Sequence, residues 1–188
     1  IMADGTLKVG TITTSSGSGT ITIGQSGETV DMSNATQTGV GGTNTPYWKA
    51  SNNSNFSFSG STTTKMRMNT VAFESNSGSF NTSAYTFTVP SGEGGKYYVN
   101  YSFYLSASTN AHAQGFIFVN DSERLFNQQT NQSSYSSYPF VTASGMVNVS
   151  AGDTIDCRCY YNSGSPVLFG NTYTDGRYSF FEGYKLIE

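Results

Sequence analysis

His112 is the one histidine of the chain and the only side chain whose ordinary pKa suits a base near neutral pH. A Ser-His-Asp or Cys-His scheme therefore has to run through it. It lies in Ser108-Thr-Asn-Ala-His-Ala113, a polar stretch that reads as surface loop. Paired acids for glycan cleavage could come from Glu74, Glu93, Asp121, Glu123, Asp153, Asp156, Asp175 and Glu182. Most of these adjoin Gly, Asn or Ser at turns, where a carboxylate accepts backbone donors. Cys157 and Cys159 are separated by one residue. On a strand they would share a face with Cα atoms roughly 7 Å apart, too far and too parallel for a bridge. Zinc would need further ligands, and His112 is remote in sequence. Buried free thiols are expected, in keeping with a reducing cytoplasm. Gly92-Glu-Gly-Gly95 lacks the Lys-Ser/Thr and helix start of a phosphate loop. No catalytic residue, metal or cofactor is expected, and the protein reads as a non-enzyme.

The chemistry that remains is recognition by rings. Tyr135 and Tyr138, in the polar loop Asn127–Pro139, are candidates to stack on a sugar, with the 163–175 loop completing a rim. Trp48 opens a strand and is assigned to the core.

These residues need a scaffold, and the composition specifies one. Charged residues are 11% of the chain and aromatic residues 14%; so many rings require a dry interior, which excludes a disordered chain. No helical apolar period is present, while Val, Ile, Thr, Tyr and Phe alternate between Gly- and Asn-rich turns, so the class is all-β. Tyr97, Val99, Tyr101, Phe103 and Leu105 share one strand face, and Tyr98 and Tyr104 occupy the other. A strand with rings on both faces must cover both, so it is central and touches more than its own sheet. Before it, Tyr85, Phe87 and Val89 alternate with Thr86 and Thr88. Met66 and Met68 fall out of step with Val71 and Phe73, which predicts a bulge near Asn69-Thr70. Gly115–Val119 ends at the turn signal Asn120-Asp121. Val141–Val149, Thr154–Tyr161 and Tyr178–Ile187 complete an antiparallel sandwich or jelly roll of about eight to ten strands.

Residues 1–45 differ. Leu7, Val9, Ile12, Ile21, Ile23 and Val30 lie in very short alternating pieces cut off by Gly or Ser, and Gly10-Thr-Ile-Thr nearly recurs at Gly19. Each piece offers too few apolar groups for a lone sheet. An intertwined β-rich stalk or anchor is expected, followed by a linker and then a head over 46–188. Met2-Ala3-Asp4 reads as an ordinary translation start, with Ile1 unexplained. A net charge of −3 gives no nucleic-acid footprint. No run approaches the ~20 apolar residues of a membrane helix, and no secretory signal is recognisable.

Four pieces together resemble the globular head of complement first-component q, a jelly roll of the tumour-necrosis-factor superfamily. They are Met68-Asn-Thr-Val-Ala-Phe73, Phe87 with Gly95-Lys-Tyr97-Tyr-Val99-Asn-Tyr101, Val149-Ser-Ala-Gly152-Asp153-Thr-Ile155, and Phe181-Glu-Gly183-Tyr184-Lys-Leu186. The turn before Gly95 is longer than the family's, and Val99 stands for its usual phenylalanine. The resemblance implies a homotrimer, and the two-faced ring strand agrees with it. The candidates for trimer interface and core are Tyr97, Tyr98, Val99, Tyr101, Phe103, Tyr104, Phe181 and Tyr184. Some family heads bind calcium near the trimer apex; Asp121 and Asp175 are the oxygen ligands available, but no dense acidic loop exists and both read as turn residues.

The leader, Gly-Thr-Ile-Thr-Thr-Ser-Ser-Gly-Ser-Gly-Thr-Ile-Thr-Ile-Gly and then Asn34-Ala-Thr-Gln-Thr-Gly39, is similar to N-terminal stretches of tailed-bacteriophage virion proteins that carry such a head. That implies a structural virion protein, assembled in the bacterial cytoplasm and partnered by other virion proteins. It would be a capsid decoration or head-fibre protein, with the receptor- or host-glycan-binding tip of a tail fibre as the alternative.

Overall fold

The computed structural model describes residues 27, 29, 44–106, 112–130, 140–162, 164–170 and 178–187. The stalk candidates Leu7, Val9, Ile12, Ile21, Ile23 and Val30 lie outside these, as do Tyr135, Tyr138 and Asp175. The chain divides into two units between Gly41 and Gly42, and every described strand belongs to the second.

Among the described residues the strands are β1 (Tyr47–Ser51), β2 (Phe56–Ser57), β3 (Thr64–Lys65), β4 (Thr70–Glu74), β5 (Phe80–Asn81), β6 (Thr86–Thr88) and β7 (Gly95–Tyr104). They continue as β8 (His112–Val119), β9 (Ser122–Thr130), β10 (Phe140–Val149), β11 (Thr154–Tyr161), β12 (Val167–Leu168) and β13 (Phe180–Lys185). One sheet runs β10-β7-β13-β1-β4, and the second runs β5-β6-β11-β8-β9 with β3 also beside β11. All pairings are antiparallel, and β12 pairs with β2 separately.

Period-two alternation decides which side chains meet between the sheets. β7 contributes Tyr97, Val99, Tyr101 and Phe103; β11 contributes Ile155, Cys157, Cys159 and Tyr161; all are buried. Trp48 from β1 is stacked on Phe87 of β6, with ring centroids 3.8 Å apart, and meets Phe181 of β13 edge-on at 5.4 Å. Such ring pairs are each worth about 0.5–1.5 kcal/mol beyond their buried area. Cys157 and Cys159 are free and buried. Burial pushes both thiols well above their ordinary pKa.

Several local expectations change. Tyr85 does not extend β6: its φ is 58°, and the Asn81 side chain accepts from the amides of Ser83 and Ala84 to make a turn instead. Met66 and Met68 do not lie on a bulged strand. They fall between β3, in the second sheet, and β4, in the first, where the chain crosses the sandwich and both side chains drop into the core. The bulge is within β4, where the register shifts opposite Lys49 and Ala50. It leaves Val71 half-buried against the core and Phe73 exposed. Residues 127–130 are strand rather than loop, and His112 begins β8, its ring 5.9 Å from that of Tyr160.

The turn carboxylates act on backbone donors. Asp153 accepts from the Ser150 amide and from the Asn120 amide side chain, each at 2.7 Å, and the Ser150 bond first of all lowers its pKa. Asn120 and Asp121 both have positive φ, the geometry of a two-residue hairpin turn between Val119 and Ser122. Glu74 accepts from the amides of Gly78 and Phe80.

Candidate functional site

The two outward faces of the sandwich differ in kind. On the second sheet, Asp156 is only 3% exposed and is matched there by cations: Lys65 Nζ at 3.0 Å and Arg158 Nε at 2.6 Å. Arg158 also pairs with exposed Asp121 and lies over the Phe118 ring at 4.1 Å. This cluster is internally neutralised and explains itself as the cover of that sheet.

The outward face of the β10-β7-β13-β1-β4 sheet is organised in cross-strand rungs. Pairing sets Met146 opposite Tyr98, Tyr98 opposite Tyr184, and Tyr184 opposite Tyr47. The next rung outward reads Ser144, Asn100, Glu182, Lys49 and Phe73. Further along, Phe140 stacks on Tyr104 at 4.7 Å, and Tyr178 and Phe169 gather on Tyr104 at 5.4 and 5.1 Å. Thus two ring clusters flank a polar band. In the band Glu182 accepts from Asn100 Nδ2 at 3.0 Å and pairs with Lys49 at 3.2 Å, and Lys49 Nζ sits 4.4 Å from the Phe180 ring centre.

Among the described residues the exposed large apolar side chains are Tyr47, Phe73, Phe140, Met146 and Tyr178 on this face, with only Phe126 and Ile187 elsewhere. Between the pairs Tyr47–Phe73 and Tyr98–Tyr184 lies an open depression of about 480 Å3. Its floor is Trp48 and Gly183, and Glu182 stands at its side. Gly183 faces the interior under this floor, where a Cβ would come within 2.4 Å of the Trp48 ring and 2.8 Å of the Tyr98 carbonyl oxygen.

The residues expected at an interface or core therefore separate by strand parity. Tyr97, Val99, Tyr101, Phe103 and Phe181 fill the interior of a single copy, and burial first of all raises the hydroxyl pKa of Tyr97 and Tyr101. Tyr98, Tyr104 and Tyr184 are half-buried on the outward face. Sequence periodicity did not single out Tyr47, Phe73, Phe140, Met146 and Tyr178 as members of that face. Their signal was present in β10, where Phe140 and Met146 alternate against the inward Val141 and Val147. Among the described residues no three His, Cys, Asp or Glu side chains converge as metal ligands, and no helix is long and apolar enough to cross a membrane.

An antiparallel sandwich with these two sheets is a jelly roll of the tumour-necrosis-factor and complement q type. Among solved structures the chain is similar to Eiger TNF from S. frugiperda (TM-score 0.53, 14% identity, covering 76% of this chain and 94% of that one). It is also similar to the globular domain of zebrafish complement 1qA protein (TM-score 0.50, 13% identity, 76% and 98% covered). At these identities the likeness concerns the fold. No family model and no curated protein sequence matches the chain.

Proposed function

We propose that the chain is a non-enzymatic structural protein that assembles as a homotrimer through the outward face of the β10-β7-β13-β1-β4 sheet. The observation that carries this reading is the gathering of Tyr47, Phe73, Phe140, Met146 and Tyr178 on one sheet face. Large apolar side chains exposed in two clusters on one face mark an interaction site. The fold likeness supports a structural or binding role for the head. The similarity of the leader to phage virion leaders supports a particular setting: a capsid decoration or head-fibre protein of a tailed bacteriophage. There residues 1–45 anchor the trimer to other virion proteins and the head projects outward, after assembly in the host cytoplasm. The net charge of −3 argues against nucleic acid as a partner.

The solution mass of the purified chain at micromolar concentration tests the assembly. Three copies are expected, and a stable single copy overturns it. A gold-labelled antibody on intact virions tests the setting. Label over the shell supports decoration, and label at the tail tip with glycan-array binding supports the receptor-binding alternative. Particles that carry no label overturn the virion assignment.

A further inference from the structure

We infer that copies of this chain meet head to tail, with Met146 of one copy inserted into the ring-lined depression of the next. The inference rests on the self-association reading above and specifies its contact. Met146 is 65% exposed, more than any other exposed large apolar side chain described, and it projects from β10 at one edge of the sheet. The depression lies over β13 and β1, toward the other edge, and is walled by Tyr47, Phe73, Tyr98 and Tyr184. A thioether is flexible and polarisable and is attracted to ring edges, so it suits a box of four rings.

Register points the same way. Met146, Tyr98, Tyr184 and Tyr47 occupy one cross-strand rung. Protrusion and depression are therefore at the same height along the strands. A rotation about an axis parallel to the strands joins them without a rise, so successive contacts close into a ring and do not climb into a filament. A two-fold pairing face to face would also set Met146 over the box. However, it joins copies only in twos, with its axis between β7 and β13, whereas the assembly proposed above has three.

The test is cross-linking of the full chain carrying Met146→Cys and Phe73→Cys, with mild oxidation or a short bis-maleimide. Cys157 and Cys159 are buried and stay out of the reaction. Covalent species that run through dimers to trimers are expected. Species that stop at dimers mean two-fold contact, and dimers from Met146→Cys alone mean that Met146 meets Met146; either overturns the inference. So does a chain with three-copy mass whose double variant forms no cross-link, an outcome that leaves the assembly reading standing. A parent chain that stays single-copy overturns both. As a check without new cysteines, Met146→Lys should raise the concentration needed for assembly at least tenfold, and Asn148→Lys on the same strand should change it far less. Equal effects would also overturn the inference.

Discussion

Gly183→Ala tests whether position 183 is held to glycine by close packing against the core beneath β13 and not by glycine's backbone freedom. The added methyl carbon would sit 2.4 Å from Trp48 Cη2 and 2.8 Å from Trp48 Cζ2, roughly 1 Å short of an ordinary carbon contact. The indole is held by Phe87 stacked at 3.8 Å and by Phe181 at 5.4 Å, so moving it disturbs three rings. The third contact is a backbone atom, the Tyr98 carbonyl oxygen at 2.8 Å, and relieving it means separating β13 from β7. Overpacking of this kind costs about 1–3 kcal/mol, while alanine recovers about 0.5–1 kcal/mol of the glycine's unfolded-state entropy. The net expectation is a loss of about 1–2 kcal/mol. With a urea slope of about 2 kcal/mol/M the midpoint falls by about 0.5–1 M. Trp48 is the only tryptophan, so its fluorescence reports the transition from the perturbed site itself. Protein concentration must be matched, because association adds to apparent stability. Gly145→Ala is the control: its methyl would meet the ends of the Leu125 side chain at 2.9 and 3.0 Å, atoms that can rotate away, so a smaller loss is expected. A Gly183→Ala midpoint equal to or above the parent's would refute the packing argument.

Two further outcomes follow from the buried polar groups. In the unfolded chain a thiol ionises from about pH 8.5, whereas burial keeps Cys157 and Cys159 protonated in the fold. The folded state then holds more protons, so stability present below that pH is lost as pH rises, at up to about 1.4 kcal/mol per pH unit for each thiol; urea midpoints between pH 7 and 9.5 that stay level would contradict this. Asp156→Asn removes the buried negative charge that Arg158 and Lys65 share and turns one of its two acceptor oxygens into a donor, and should cost about 3 kcal/mol, read as a drop in urea midpoint; Asp121→Asn, at an exposed pair, should stay within about 1 kcal/mol of the parent.

Strand identity was legible wherever one residue type alternated over six or more positions, because the pleat converts sequence parity directly into facing. β7 and β11 illustrate this: Tyr97 to Phe103 and Ile155 to Tyr161 lie inward as their alternation requires. Short or irregular pieces were less legible. Met66 and Met68 carry a strand-like pattern, yet they serve a crossover between sheets, and nothing local distinguishes a residue that stays in a sheet from one that leaves it. Tyr85 similarly fits the period of β6 but lies in a turn held by Asn81, whose side chain competes for the backbone.

By itself the sequence determined the class, the core strands and the surplus of rings over what one interior can hold, since these depend on composition and on a period of two residues. Only the tertiary structure decided where the surplus goes. Tyr47, Phe73, Tyr98, Met146 and Tyr184 are distributed over five strands, and they became one surface through the order and register of hydrogen-bonded neighbours. That order depends on contacts between residues far apart in the chain, which no local pattern encodes.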